Sequence, residues 1–247
     1  DILAIIATVM GIATSIGLGI MQIGGGLNHL FDVPNNNFTK ILITILMVAI
    51  FLGSSLTGLN HGVKWLSNLN ILLGAILLIF ILIFGDLKFI LESYTLAISD
   101  YLQHFIEYSL RVNPYSGDDS WIQQWTVFYW AWVISWSPFI GGFVARVSRG
   151  RTIREFVVGV LIIPPLISFT WIAGFGGTAI KLALNHNDKL VHIVDKDYTV
   201  ALFELLSHFP LSEVTSSLAI VLIFIFIVTS ADSTTHIVAG MATGGSI

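Results

Sequence analysis

The chain has 247 residues, 55% of them hydrophobic and only 11% charged, with a formal net charge of −4 and a mean hydropathy of +0.86. Soluble domains carry about 25% charged residues, so the composition excludes a soluble globular protein and leaves an integral membrane protein. With no cysteine there is neither a disulfide frame nor a thiolate metal site.

The chain opens on Asp1, shows no signal peptide, and ends on Gly-Gly-Ser-Ile just after an apolar run. It reads as an internal piece of a longer polytopic protein. A first span covers about residues 2–30. Its glycines, Gly11, Gly17, Gly19, Gly24, Gly25 and Gly26, let helices approach closely in lipid and at this density are expected to loosen the helix. Thr8, Thr14, Ser15, Gln22 and Asn28 punctuate it. Hydroxyls bonded back to the preceding turn account for such residues. A cation or substrate path is the other reading, because polar groups within spans face a bundle interior or a cavity.

Asp32-Val-Pro-Asn-Asn-Asn37 is a loop by its breakers. A second span follows at about 40–58, then a turn over Thr57–Gly62, then a third span at about 68–85, entered from Lys64-Trp65. Residues 88–110 alternate charged with apolar side chains and are too charged to span; they read as an amphipathic helix at the interface or on top of the bundle. Asn113–Asp119 is the next loop.

The fourth span, about 120–145, is loaded with aromatic residues. At about 100° per residue, Trp121, Trp125, Phe128, Tyr129, Trp132, Trp136 and Phe139 fall within an arc of roughly 100°. Trp130 lies well off that arc and Val133 at its edge. The preference of Trp and Tyr for membrane interfaces explains Trp121 and Trp125. Trp132 and Trp136 lie three to four turns in, where a Trp is either core packing or the wall of a site for a cation that cannot donate hydrogen bonds. Ser135-Trp136-Ser137-Pro138 is expected to break this span, as helices break at transporter sites.

The fifth span, about 153–180, carries Pro164-Pro165, which predicts a kink and freed carbonyls. Residues 181–212 are polar and their histidines lack metal spacing, so they read as a solvated loop and short helix. The sixth span, about 213–238, ends in Thr229-Ser-Ala-Asp-Ser-Thr-Thr-His236. Its hydroxyls suit an alkali cation such as Na+ or cap the helix end. Asp232 is either a proton or cation group or solvated at the membrane edge, and His236 stands one turn away, within pairing distance.

Arg146, Arg149, Arg151 and Arg154 crowd one short hinge. Residues 146–154 are therefore expected on the cytoplasmic side, which puts the amphipathic helix and residues 181–212 outside. There is no nucleophile elbow and no phosphate-binding loop, so neither an enzyme nor a nucleotide-driven pump is expected. Nothing points to a nucleic-acid partner or to a cofactor beyond a coupling ion.

The stretch Trp125-Thr-Val-Phe-Tyr-Trp-Ala-Trp-Val-Ile-Ser-Trp-Ser-Pro-Phe139, followed by Ala145-Arg-Val-Ser-Arg-Gly-Arg-Thr-Ile-Arg-Glu-Phe156, resembles the signature of the betaine/choline/carnitine transporter (BCCT) family. Gly17–Leu27, Leu66–Asn70, Phe175–Ile180 and Thr229–Ser233 support it, and the resemblance extends over essentially the whole chain. It implies an all-α membrane protein with a LeuT-like inverted repeat. This chain would hold the fifth to tenth family spans, with the amphipathic outer helix between the seventh and eighth, and would lack the third and fourth.

The resemblance further implies that Trp132 and Trp136 line the substrate site, that Phe128 and Trp130 flank them, that Thr229 and Ser230 are sodium ligands, and that Thr8 and Phe139 belong to a second sodium site. Two positions depart from the family. Val133 stands where a second adjacent tryptophan is usual, which removes an aromatic wall worth about 0.5–2 kcal/mol. Ile12 stands where sodium-coupled members carry a second threonine, and an isoleucine cannot ligate a cation. The expected function is secondary uptake of a quaternary-ammonium compound such as choline or glycine betaine, coupled to Na+ or H+. The alternatives are another osmolyte, a sulfonium or amine compound, prompted by Val133, or a non-transporting sensor on the same scaffold. A plasma-membrane homotrimer is implied by the family.

Overall fold

A computed structural model describes residues 2–57, 62–112, 120–185 and 188–244. All regular structure among them is helical: α1 (Ile2–Phe31), α2 (Asn37–Thr57), α3 (Gly62–Phe84), α4 (Leu87–Ser109), α5 (Ser120–Val147), α6 (Ile153–Leu184), α7 (Asp188–Lys196), a 3-10 turn at Tyr198–Val200, α8 (Ala201–Leu206) and α9 (Ser212–Ala242). The expected turn at Thr57–Gly62 (in part) and the loop Asn113–Asp119 lie outside the described residues, as does His186. Five helices, α1, α3, α5, α6 and α9, are long and apolar enough to cross a membrane. The second expected span falls on α2, whose described apolar stretch, Asn37–Gly53, is shorter.

Helix α9 is the hub, packing on α1, α2 and α3. One core cluster joins Leu77 and Ile81 of α3 to Phe175 of α6, Phe203 and Leu206 of α8 and Ala219 of α9. A second joins Ile20 and Ile23 of α1 to Ile43 and Met47 of α2 and Ile227 of α9.

Helix α1 is not loosened by its glycines; it is continuous over 30 residues. The glycines provide close contact instead. A Cβ on Gly19 would meet Ile227, one on Gly25 would meet Thr199, and one on Gly26 would meet the Phe203 ring.

Nor does α5 break at Ser135–Pro138. The helix runs through Pro138, with Ser135 Oγ donating to the Trp132 carbonyl (2.7 Å) and Ser137 Oγ to the Val133 carbonyl (2.9 Å). Pro138 removes only the helical donor to the Ile134 carbonyl, four residues back, and the neighbouring turns carry the helix through it. The irregularity is a π turn upstream, Gln123–Val127. In α6 a second π turn, Val158–Ile162, immediately precedes Pro164-Pro165; the wider turn makes room for the rings.

Residues 181–212 contain the expected short helix, α7, but the segment is more than solvated loop: its apolar residues pack as a cap. Leu190, Phe203, Leu205 and Leu206 are buried, and so is the Glu204 carboxylate, which faces Lys189 at 3.5 Å and His29 of α1 at 4.0 Å. Helix α4 is amphipathic as expected, N-capped by Asp86, whose carboxylate accepts from Phe89 N, and bent at His104. It lies against α6, with Lys181 paired to Asp86 and stacked over Phe89, and Tyr101 edge-on to Phe169 at 5.7 Å.

The arginine hinge is a tight turn at Gly150, whose φ of +81° is the left-handed region that favours glycine. Thr152 then starts α6 with a reciprocal capping box to Glu155.

Candidate functional site

The site is built where α5 crosses α1. Gly11 makes the approach possible: a Cβ there would stand 2.6 Å from Ser135 Oγ and 2.8 Å from Trp136 Cδ1. One turn further along α1, Ser15 Oγ accepts from Trp132 Nε1 (2.9 Å) and from Trp136 Nε1 (3.1 Å). Trp132 Nε1 also reaches the Gly11 carbonyl at 3.3 Å. The two indoles stand 6.5 Å apart between centroids at an interplanar angle of 74°, which makes a corner. Phe128 packs on Trp132 from the outer side (6.0 Å) and Phe139 on Trp136 from the inner side (5.5 Å, edge-on).

The corner opens onto a cavity of about 1010 Å³ between α1, α3, α5, α6 and α9. Trp132, Val133, Trp136 and Ser230 line it, together with Asn70 and Trp171. The remaining aromatic candidates divide. Phe128 supports Trp132 from behind and is not part of the lining. Trp130 points away; its Nε1 donates to the Ser109 carbonyl at the end of α4 (3.2 Å), which ties α5 to the amphipathic helix. At the outer end of the stripe Trp121 lies under Arg111, 5.7 Å from ring centroid to guanidinium, as an interfacial anchor would.

The cation candidates fall into two groups. On α9, Thr229 is buried and its hydroxyl donates within the helix, to the carbonyls of Ile225 and Phe226 (both 3.0 Å), which leaves its oxygen lone pairs free to accept. Ser230 faces the cavity, and its carbonyl accepts from Thr234 Oγ1 at 2.8 Å. On the α1–α5 contact, Thr8 is completely buried and its Oγ1 has no hydrogen-bond partner among the described residues. Buried hydroxyls are seldom left so. Gly11 lies opposite Ser135 and Trp136, so the antiparallel register brings Thr8, about one turn back, level with Phe139, which is also buried. Ile12 is part of the cavity wall. Asp232 is 1% exposed, which removes the reading of it as solvated at the membrane edge.

Two residues of this site, Asn70 and Trp171, escape a reading of the sequence, and a third, Ser15, is legible only as one polar residue of a possible path. Ser15 is one of several polar punctuations in α1. Asn70 sits in an apolar span, yet its carboxamide donates to the Leu222 carbonyl (3.2 Å) and accepts from Phe226 N (3.1 Å), binding α3 into the backbone of α9. Trp171 lies far from the aromatic stripe and joins it only in space. The signal available for Ser15 and Asn70 is a polar residue inside a span.

The family model for BCCT, betaine/carnitine/choline family transporters, matches residues 1–247. The chain is 50% identical over 247 residues to an ectoine/hydroxyectoine transporter of Virgibacillus pantothenticus, covering 100% of this chain and 49% of that protein. It is 44% identical over 248 residues to the glycine betaine transporter OpuD of Bacillus subtilis, covering 100% of this chain and 48% of that one. It is 41% identical over 248 residues to a glycine betaine/proline/choline transporter of Vibrio parahaemolyticus, covering 100% and 44%. The chain thus spans about half the length of the curated relatives it matches. Matched by the family model from end to end and carrying apolar helices that cross a membrane by length and composition, the chain belongs to the betaine/carnitine/choline (BCCT) transporter family.

Proposed function

We propose that this chain forms the core of a secondary transporter that takes up a quaternary-ammonium osmolyte, glycine betaine or choline, coupled to the downhill entry of Na+ or H+. The observation that supports this most is the Trp132–Trp136 corner facing the cavity. A trimethylammonium group has no hydrogen-bond donor, so it is recognised by aromatic faces, each worth about 0.5–2 kcal/mol. Thr229 and Ser230 offer oxygen ligands for a coupling Na+, and the unpartnered Thr8 hydroxyl beside Phe139 offers a second place for one. Residues 146–154 would face the cytoplasm, with the protein in the plasma membrane and assembled as a trimer after the family pattern.

The test is uptake of labelled choline and glycine betaine by the full-length protein, in sodium and then in potassium at fixed pH. Sodium-dependent uptake supports a working site at Thr229 and Ser230 despite Ile12. Sodium-independent uptake abolished by a protonophore supports proton coupling. Replacing Trp132 or Trp136 by Ala should raise the KM for either solute; unchanged kinetics in both variants would refute the site.

Val133 favours a second reading. It lines the cavity where a further indole would close the box around a spherical trimethylammonium. A planar cation such as the amidinium of ectoine needs only one face to stack on, and its N–H groups can be met by Asn70 or Ser230, which share the cavity. The 50% identical relative is an ectoine/hydroxyectoine transporter. Competition decides between the two: unlabelled ectoine should displace labelled glycine betaine if the open wall sets specificity, and should not if a quaternary cation is the true cargo.

A further inference from the structure

We propose that Ser15 is the positioning residue of the aromatic corner: one hydroxyl on α1 fixes the angle between the Trp132 and Trp136 indoles, and through that angle sets the affinity for the organic cation. The inference rests on the reading of Trp132 and Trp136 as the cation site. A serine hydroxyl has one donor and two acceptor positions. Ser15 uses all three on the protein. It accepts from Trp132 Nε1 at 2.9 Å and from Trp136 Nε1 at 3.1 Å, and it donates to the Gly11 carbonyl at 3.0 Å.

That saturation distinguishes two roles. A substrate group could bind Ser15 only by displacing an indole, so Ser15 acts through the rings and not as a ligand. The tethering is unequal. Trp132 has a second acceptor in the Gly11 carbonyl at 3.3 Å, whereas Ser15 is the one hydrogen-bond partner of the Trp136 indole among the described residues. Loss of the hydroxyl therefore frees Trp136 more than Trp132. A cation seated in the corner can lie within the roughly 6 Å reach of both ring centroids, because the centroids are themselves 6.5 Å apart and the rings stand at 74°. Once one ring turns away, the cation keeps one face and loses the other, a loss of about 2- to 30-fold in affinity. Gly11 contributes by letting Trp136 come close enough to reach Ser15 at all.

The experiment uses the full-length transporter with Ser15→Ala, Ser15→Thr, Trp136→Ala and the double variant Ser15→Ala/Trp136→Ala. Initial rates with labelled glycine betaine and with labelled ectoine give KM and Vmax. In parallel, 19F NMR of the purified, 5-fluorotryptophan-labelled protein reports the two rings directly, with resonances assigned by single Trp→Phe changes. Ser15→Ala is expected to raise KM about 2- to 30-fold with Vmax little changed, and to shift and broaden the Trp136 resonance more than that of Trp132. Ser15→Thr keeps the hydroxyl and should restore both. The double variant should be no worse than Trp136→Ala.

The proposal is overturned if Ser15→Ala leaves KM unchanged while Trp136→Ala raises it, or if the Trp136 resonance is indifferent to Ser15→Ala. It is equally overturned if the Ser15 and Trp136 effects multiply in the double variant while the Trp132 resonance stays unmoved, which would make Ser15 a direct ligand. If Trp136→Ala itself leaves uptake of both solutes unchanged, the cation-site reading fails first and takes this one with it.

Discussion

Gly26→Ala and Gly17→Ala place the same methyl group on the same helix, and the structure predicts opposite outcomes. A Cβ on Gly26 would stand 2.4, 2.7 and 2.9 Å from three carbons of the Phe203 ring, where ordinary carbon–carbon contact is about 3.5–4.0 Å. The ring would have to retreat by about 1 Å, yet Phe203 has 0% exposure and sits among Leu77, Ile81 and Phe175. Overpacking of this kind costs about 1–3 kcal/mol. A Cβ on Gly17 would meet nothing within 4 Å. Both variants gain the same helix propensity, about 0.8–1 kcal/mol for Gly to Ala, so it cancels in the comparison. Gly17→Ala should unfold at the same temperature as the parent or higher, and Gly26→Ala should be about 1–3 kcal/mol less stable than Gly17→Ala. Thermal unfolding of the full-length protein in detergent reads both. Phe203→Leu, harmful alone, should relieve part of the Gly26→Ala defect. Equal stability of the two glycine variants would refute the seating of α1 on the cap.

Three more predictions follow from polar contacts. Lys181, by its hydrogen bond to Asp86, holds that carboxyl below its ordinary 3.8; the folded value is thus the lower one, so the gap in melting temperature between the parent and Asp86→Asn should be constant above the ordinary value and close as pH falls below it. Asn70→Leu should cost about 1 kcal/mol in thermal stability, because the bonds from Asn70 to Leu222 and Phe226 are lost while the Phe226 N–H can still use the carbonyl four residues back. Lys189→Met should lower the melting temperature more than the double variant Lys189→Met/Glu204→Gln, because the single change leaves the carboxylate of Glu204, 2% exposed, with His29 as its one ionic partner among the described residues.

Periodicity made the aromatic stripe legible, and the structure shows why its two ends differ. Trp121 is 56% exposed and Phe139 5%, so the stripe passes from an interfacial anchor to a packed interior along one helix. The π turn at Gln123–Val127 could not be seen in advance, because it depends on hydrogen bonding between turns and not on any residue type. The expected break at Pro138 failed because a proline removes a single helical bond, the one to the carbonyl four residues back, and the turns on either side hold the helix through it. Polar composition misled the reading of residues 181–212. Four buried apolar anchors were enough to seat that segment, since burial follows the few residues that meet a partner and not the average.

The tertiary partner of the stripe was hidden, but part of it lay in the glycines of α1. At about 100° per residue, Gly11, Ser15, Gly19, Gly25 and Gly26 fall within an arc of about 120°, while Gly17 and Gly24 fall on the far side. The structure divides them the same way. The members of the arc lie under Trp136, Ile227, Thr199 and Phe203, whereas Gly17 touches nothing and Gly24 only the tip of Asn35. One face of α1 therefore bears both on the aromatic corner, at Gly11 and Ser15, and on the cap, at Gly25 and Gly26, about 21 Å further along at about 1.5 Å per residue. A 30-residue helix unbroken between those contacts cannot slide or turn against α5 without also moving against the cap. The small residues of α1 thus do more than ease packing: they place the wall of the cavity and the seat of the cap on a single rod.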